Sequence, residues 1–320
     1  MQQNTQNTSL CTLSGSSAGR HFAGSIAVKN LKQTAAAIAC TAALFAALST
    51  PALAEDCLTA ANLKAELSSR LDEQQALSAE IAGLFTLDAD KSALLKTFLT
   101  ELIADEKVRG LIAAELPTDA EKCLTADEEQ RIVHKLYSLI LSPSSQAAAA
   151  GLLRLTAPER KRLMIYNLSR AELLDPESCS AYLSGKGQVD GRADLKAMQD
   201  FFAGINYQAM EEYLGLVAAS LKSQAHQSPE PNLLSAKDSA LGQIMYSRAL
   251  DKWRELNPEA SAKIGQILQQ GDQASAEDRC YLGKTFMLIM LSLKGETGDL
   301  VLLSALQQST PYRHLPPGQH

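Results

Sequence analysis

The stretch TAANLKAELSSRLDEQQALSAEIAGL, residues 59–84, decides the fold class of this chain. Large apolar residues recur along it at helical spacing, at Leu63, Leu67, Leu71, Leu77, Ile81 and Leu84. Spacings of three and four residues place such side chains on one face of an amphipathic helix, where they pack against a core. The pattern therefore predicts a helix from about residue 59 to residue 85.

Similar patterns cover most of the chain, and residues typical of helix N-termini precede them. Capping boxes are predicted at Thr125 with Glu128 and at Thr156 with Glu159. Further helix starts are predicted at Asp88, Asp175, Ser235, Asn257 and Ser275. No stretch alternates apolar and polar residues in the manner of a strand. We therefore predict an all-α protein, a multi-helix bundle of about ten to twelve helices in one or two units.

Three expectations concern burial. The last major helix, about residues 276–293, contains an apolar run at 286–291 and should be the most buried helix. Trp253, the only tryptophan, is expected to anchor the core. The basic residues 160–162 are expected to form a solvated helix face rather than a phosphate site, because the chain is acidic overall.

The segment Val28–Ala54 has the three parts of a signal peptide. Lys29 and Lys32 supply the positive region, an alanine-rich apolar run follows at 34–48, and residues 52–54 read Ala-Leu-Ala. That order fits cleavage after Ala54, and the apolar run is short for a membrane span. We therefore expect export into a bacterial periplasm, with no stable membrane anchor after cleavage.

Residues 1–27 differ from the rest of the chain. They are rich in Gln, Ser, Thr, Gly and Ala, and Arg20 is their only residue among Lys, Arg, Asp and Glu. Such a segment has too little apolar surface to fold. We expect residues 1–27 to be disordered, or to lie upstream of a true translation start at Val28.

The charge of the exported chain limits the classes of ligand that it can bind. Removing residues 1–54 takes away three of the 30 basic residues and none of the 36 acidic ones, which leaves a net charge of about −9. That charge repels phosphate backbones and anionic lipid headgroups. The composition therefore argues against binding to nucleic acid or to an anionic membrane surface.

Four cysteines remain after the predicted cleavage, at Cys57, Cys123, Cys179 and Cys280. An even number in an oxidising compartment indicates two disulfides. Cys57 and Cys123 open the first and third predicted helices, so an up-and-down arrangement brings them to the same end of the bundle. We therefore predict Cys57–Cys123 and, by elimination, Cys179–Cys280. A kink near residues 104–105 would redirect the second helix and undermine this argument.

A short repeat accompanies the first two of these cysteines. The sequence EDCLTA at 55–60 recurs as EKCLTA at 121–126. Two interpretations remain open. The two segments begin related helical units, or they resemble each other because helix capping favours similar residues beside any cysteine.

A glycine-rich loop at 184–191 divides the predicted helices. The expected organisation is one helical unit at 55–184, a second at 192–309 and a loose tail at 310–320.

No motif in the sequence indicates a catalytic site, a cofactor site or a metal site. The predicted mature chain has four histidines, and none has the spacing of a zinc-binding motif. His134 lies in a strong helix pattern and is expected to be structural. Paired acids such as Glu211 and Glu212 are adjacent, so on a helix they point in different directions.

The sequence thus favours an exported interaction or structural protein without catalytic activity, whose partner is a periplasmic protein. One alternative is a small cell-wall-directed hydrolase that uses carboxylates, which a cleft holding two close acids would favour. Another is a carrier of apolar ligands, which a closed apolar cavity would favour. An exposed apolar patch over a solid core would favour the interaction protein.

Overall fold

The computed structural model describes residues 58–116, 123–141, 146–184 and 191–309. These four ranges contain fourteen α-helices, one short 3-10 turn and no β-strand. The all-α prediction is confirmed, while the predicted number of about ten to twelve helices is too low. The predicted signal peptide and the tail at 310–320 lie outside the described residues.

The first seven helices are α1 (Ala60–Asp72), α2 (Gln74–Gly83), α3 (Ala89–Ala104), α4 (Glu106–Ala114), α5 (Ala126–Leu141), α6 (Gln146–Leu152) and α7 (Ala157–Ala171). The other seven are α8 (Pro176–Ser184), α9 (Gly191–Gly204), α10 (Tyr207–His226), α11 (Ala236–Leu256), α12 (Pro258–Gln270), α13 (Ala276–Ser292) and α14 (Gly295–Ser309). The 3-10 turn Gly271–Gln273 lies between α12 and α13.

The helix predicted at 59–85 and the helix predicted to start at Asp88 are each divided in two. Glu73 leaves the helical conformation, with a ψ of 55°, and separates α1 from α2. Asp105 is extended and caps α4, since its carboxylate accepts hydrogen bonds from the backbone N–H groups of Lys107 and Val108. Arg109 donates to the carbonyls of Ile103 and Ala104 at the end of α3. The polar groups at this break are therefore satisfied locally, which allows the apolar pattern to continue across it.

The helix starts predicted from capping signals are confirmed. Glu128 accepts a hydrogen bond from the backbone N–H of Thr125 at 2.8 Å, and the Thr125 hydroxyl accepts from Glu128 at 3.3 Å. Thr156 and Glu159 form a second capping box at α7. Ser235 and Ser275 each cap their helix by accepting a backbone N–H at 3.1 Å. Such a cap contributes about 1 kcal/mol.

One continuous apolar core contains buried side chains from residue 63 to residue 306. The units predicted at 55–184 and 192–309 both contribute to it. Its centre includes an aromatic group in which the rings of Phe201 and Tyr213 lie 5.2 Å apart, and those of Phe85 and Phe202 lie 5.6 Å apart. The Tyr213 hydroxyl donates to the carbonyl of Leu141 at 3.0 Å, so its polar end is satisfied inside the core.

Glycine allows two pairs of helices to approach closely. A Cβ atom at Gly151 of α6 would lie 2.1 Å from the carbonyl oxygen of Ser220 on α10. A Cβ atom at Gly242 of α11 would lie 2.9 Å from the Cβ of Ser304 on α14. Both distances are shorter than van der Waals contact, so any larger residue would force these helices apart.

Candidate functional site

Cys179 of α8 and Cys280 of α13 form a disulfide with a Cα–Cα distance of 5.4 Å across a sequence separation of 101 residues. Both cysteines are buried, in a small apolar cluster with Leu174 and Ala197. The bond fixes α13 to α8, and it is the Cys179–Cys280 pairing that was predicted by elimination.

The described ranges contain one complete disulfide rather than the two predicted, and Cys57 lies outside them. Cys123 is also disulfide-bonded, and its partner therefore lies outside the described residues. Thr59 and Cys123 form an isolated antiparallel bridge, and Leu124 donates a backbone hydrogen bond to Leu58 at 2.8 Å. These contacts bring the chain that follows Cys57 beside Cys123, but the Cys57–Cys123 bond stays a prediction.

A buried charged group lies beside the disulfide. Arg170 of α7 is fully buried, and its Nη2 lies 3.4 Å from Oδ1 of Asp194 on α9. Its guanidinium stacks over the ring of Tyr182 at 4.6 Å and donates to the hydroxyl of Tyr213 at 3.5 Å. Arg170 thus joins α7, α8, α9 and α10 through one side chain.

The electrostatics of this group keep Arg170 charged. Burial alone would lower the pKa of Arg170, but the neighbouring Asp194 carboxylate and the two tyrosines raise it. Burial in turn raises the pKa of Tyr182 and of Tyr213, and Arg170 opposes both shifts. The tyrosines therefore remain neutral and Arg170 remains cationic, which suits a fixed structural group and not an acid–base catalyst.

Arg160 corrects the prediction of a solvated face at 160–162. Only 1% of Arg160 is exposed, and it donates to the carbonyl of Leu152 at 3.0 Å, to that of Leu155 at 2.7 Å and to the carboxylate of Asp299. Lys161 donates to the carbonyl of Leu293 at 2.6 Å. Both side chains thus satisfy carbonyl groups at or just after the C-terminal ends of α6 and α13, while the side chain of Arg162 is exposed.

A cleft of about 310 Å³ lies next to Arg160 and Lys161, where α7 and α14 begin. Its lining includes Pro158, Lys161, Glu296 and Asp299. Glu296 and Asp299 lie about one turn apart on α14, and Asp299 is paired with Arg160. Hydrolysis of a glycoside needs two carboxylates on opposite sides of the substrate, and this cleft presents them on one wall. Its open mouth also differs from a closed apolar cavity.

The other residues weighed in the sequence lie apart from this cleft. His134 is half-buried on α5, and His226 lies at the end of α10 with Nε2 2.7 Å from Oδ2 of Asp105. Glu212 accepts a hydrogen bond from the Tyr166 hydroxyl at 2.7 Å. Within the described ranges, no cluster of three or more His, Cys, Asp or Glu side chains is arranged to hold a metal ion.

Helix α13 overturns a second prediction, since it is not the most buried helix. Leu288, in the middle of its apolar run, is 53% exposed, and the neighbouring Met287 and Met290 are only half-buried. Two leucines on the adjacent helices are also exposed, Leu256 of α11 at 72% and Leu268 of α12 at 49%. Trp253 is half-buried and is not among the buried residues of α11, so it is not the core anchor that was expected. We call Leu256, Leu268 and Leu288 the uncovered leucines.

Sequence reasoning missed the burial of Arg160 and Arg170, although a signal was present. Arg160, Leu163, Asn167 and Arg170 follow one another at spacings of three and four residues. They therefore share one face of α7, and the buried Leu163 marks that face as the inner one. The exposure of Leu288 had no comparable signal, because it depends on how far neighbouring helices cover α13.

Comparisons with known proteins give no assignment: no protein-family profile matches the chain, and neither a curated protein nor a solved structure shows significant similarity. Among the described helices, none combines the length and the apolar character needed to cross a membrane.

Proposed function

We propose that the chain is an exported, non-catalytic protein that binds another protein through the uncovered leucines of α11, α12 and α13. The observation that carries this proposal is the exposure of Leu288 at 53% within the run 286–291. A helix that is apolar on all sides is ordinarily buried, because each exposed leucine forgoes about 1.5–3 kcal/mol of transfer free energy. A protein partner with an apolar surface would cover it.

The charge of the exported chain favours a protein over other ligands. Its net charge of about −9, from 36 acidic residues, disfavours nucleic acid and anionic lipid. The 310 Å³ cleft offers neither opposed carboxylates nor a closed apolar space. The proposal therefore places the function on a surface rather than in a pocket.

Export is tested by N-terminal sequencing of the protein purified from the periplasm of its native host. The expected N-terminus is Glu55, and the same N-terminus is expected when the codons before Val28 are deleted and translation starts there. An intact N-terminal segment in a cytoplasmic fraction would contradict export.

Binding is tested by a quantitative pull-down from periplasmic extract with the triple variant Leu256→Glu, Leu268→Glu and Leu288→Glu. A matched control is Leu173→Glu, because Leu173 follows α7, lies outside helices α11, α12 and α13, and is 45% exposed. A protein retained by the wild type and the control but lost from the triple variant would support the proposal. Equal retention by all three baits would refute it.

A further inference from the structure

The outward face of α11 contains none of the uncovered leucines, since Leu256 lies about 120° around the helix from Ile244. Along it lie Lys237, Leu241, Ile244, Arg248 and Asp251, and all five side chains are exposed. At 100° per residue these positions fall within about 60° of Ile244 around the helix. We call these five residues the outer stripe.

The opposite face of α11 makes the contacts with the rest of the protein. Gly242 packs against α14, and the Tyr246 hydroxyl donates to the carbonyl of Phe286 on α13 at 3.3 Å. Gly242 is the only fully buried residue of this 21-residue helix. The outer stripe therefore points away from the core, and Ile244 at 50% and Leu241 at 39% are its exposed apolar centre.

We propose that the outer stripe binds the outer stripe of a second copy of this chain, with the two α11 helices antiparallel. Lys237 lies seven residues before Ile244, and Asp251 lies seven residues after it. A two-fold axis at Ile244 therefore brings the two Ile244 side chains together and sets each Lys237 opposite Asp251 of the other copy. Seven residues correspond to about 10.5 Å along the helix, so both charge pairs flank the apolar centre.

The charges select this arrangement over its alternatives. A parallel pair would set Lys237 against Lys237, Arg248 against Arg248 and Asp251 against Asp251, and like charges in register repel. In the antiparallel pair Leu241 meets the aliphatic part of Arg248, whose charged end still reaches water. Asp251 already contacts Arg254 at 3.2 Å, but both side chains are exposed, so that pair leaves Asp251 accessible to a second cation.

Sedimentation velocity of the exported chain from about 1 to 200 µM tests this inference, since a single helix pair forms a small interface and a weak dimer. The wild type is expected to show a monomer–dimer equilibrium, and Ile244→Glu is expected to raise the dissociation constant at least about tenfold. Lys237→Glu and Asp251→Lys alone should each weaken the dimer, and the double variant should restore it to within about threefold of the wild type. Leu173→Glu should have no effect.

Circular dichroism of each variant checks that the fold is intact. A wild type that stays monomeric over this range overturns the inference, as does a dimer that Ile244→Glu leaves unchanged or a charge exchange that fails to restore binding. These outcomes bear on self-association alone, because the pull-down with the uncovered leucines uses a different surface.

Discussion

Replacing Arg170 with methionine should destabilise the protein strongly, because Arg170 is the charge partner of Asp194 in the interior. Asp194 is 3% exposed and Arg170 is 0% exposed, and their closest oxygen and nitrogen are 3.4 Å apart. Methionine fills much of the arginine volume but leaves a buried carboxylate without its guanidinium. Breaking a buried ion pair on one side typically costs about 3–5 kcal/mol.

The double variant Arg170→Met, Asp194→Asn separates this effect from lost packing. Because it also removes the carboxylate charge, it should recover much of the loss, with a coupling of at least about 1 kcal/mol between the two sites. Urea unfolding followed by circular dichroism at 222 nm, with the disulfides oxidised, gives each free energy of unfolding. A loss below about 1 kcal/mol for Arg170→Met, or strictly additive effects, would refute the role given to this pair.

Three further predictions concern stability. Gly151→Ala should lower the free energy of unfolding in urea by about 1–3 kcal/mol, because the new Cβ would lie 2.1 Å from the Ser220 oxygen. The control Gly110→Ala, with no atom near its Cβ, should be neutral or stabilising. Equal effects of the two substitutions would contradict the close packing of α6 on α10. Replacing Cys179 and Cys280 with alanine should lower the free energy of unfolding by up to about 4–5 kcal/mol, since the bond closes a loop of about 100 residues. An unchanged midpoint of urea unfolding would contradict a stabilising role for this disulfide. Burial alone would raise the pKa of Asp105, but the hydrogen bond with His226 lowers it. The stability that Asp105 contributes is therefore present above about pH 4 and is lost as the pH falls through the lowered pKa. The difference in stability between wild type and Asp105→Asn, which keeps a capping side chain, should therefore shrink below about pH 4, and a constant difference would contradict the lowered pKa of Asp105.

Sequence reasoning located the helices well where the signal is local. Thr125, Thr156, Ser235 and Ser275 mark helix starts because a hydroxyl followed by an acid satisfies backbone N–H groups whatever the tertiary context. The breaks at Glu73 and Asp105 were harder to place, since the apolar pattern continues across both. The kink considered near residues 104–105 is the break at Asp105, and it is one reason that the helix count exceeds the prediction.

The failures concern burial, which depends on contacts distant in sequence. Arg160 is buried because Asp299, 139 residues away, and two nearby carbonyls receive its N–H groups. Leu288 is exposed because the helices that pack on α13 leave one side open, although its run is apolar on every side. Periodicity reports which face of a helix is apolar, and the neighbouring helices determine which face is covered.

Site-specific photocrosslinking in cells tests the central claim most directly. A photoreactive phenylalanine analogue at position 288 probes the uncovered side of α13, and the same analogue at position 173 serves as the control. A covalent adduct between this chain and another protein is expected from position 288 and none from position 173, with export intact in both. Adducts at both positions, or at neither, would contradict a function carried by the uncovered leucines.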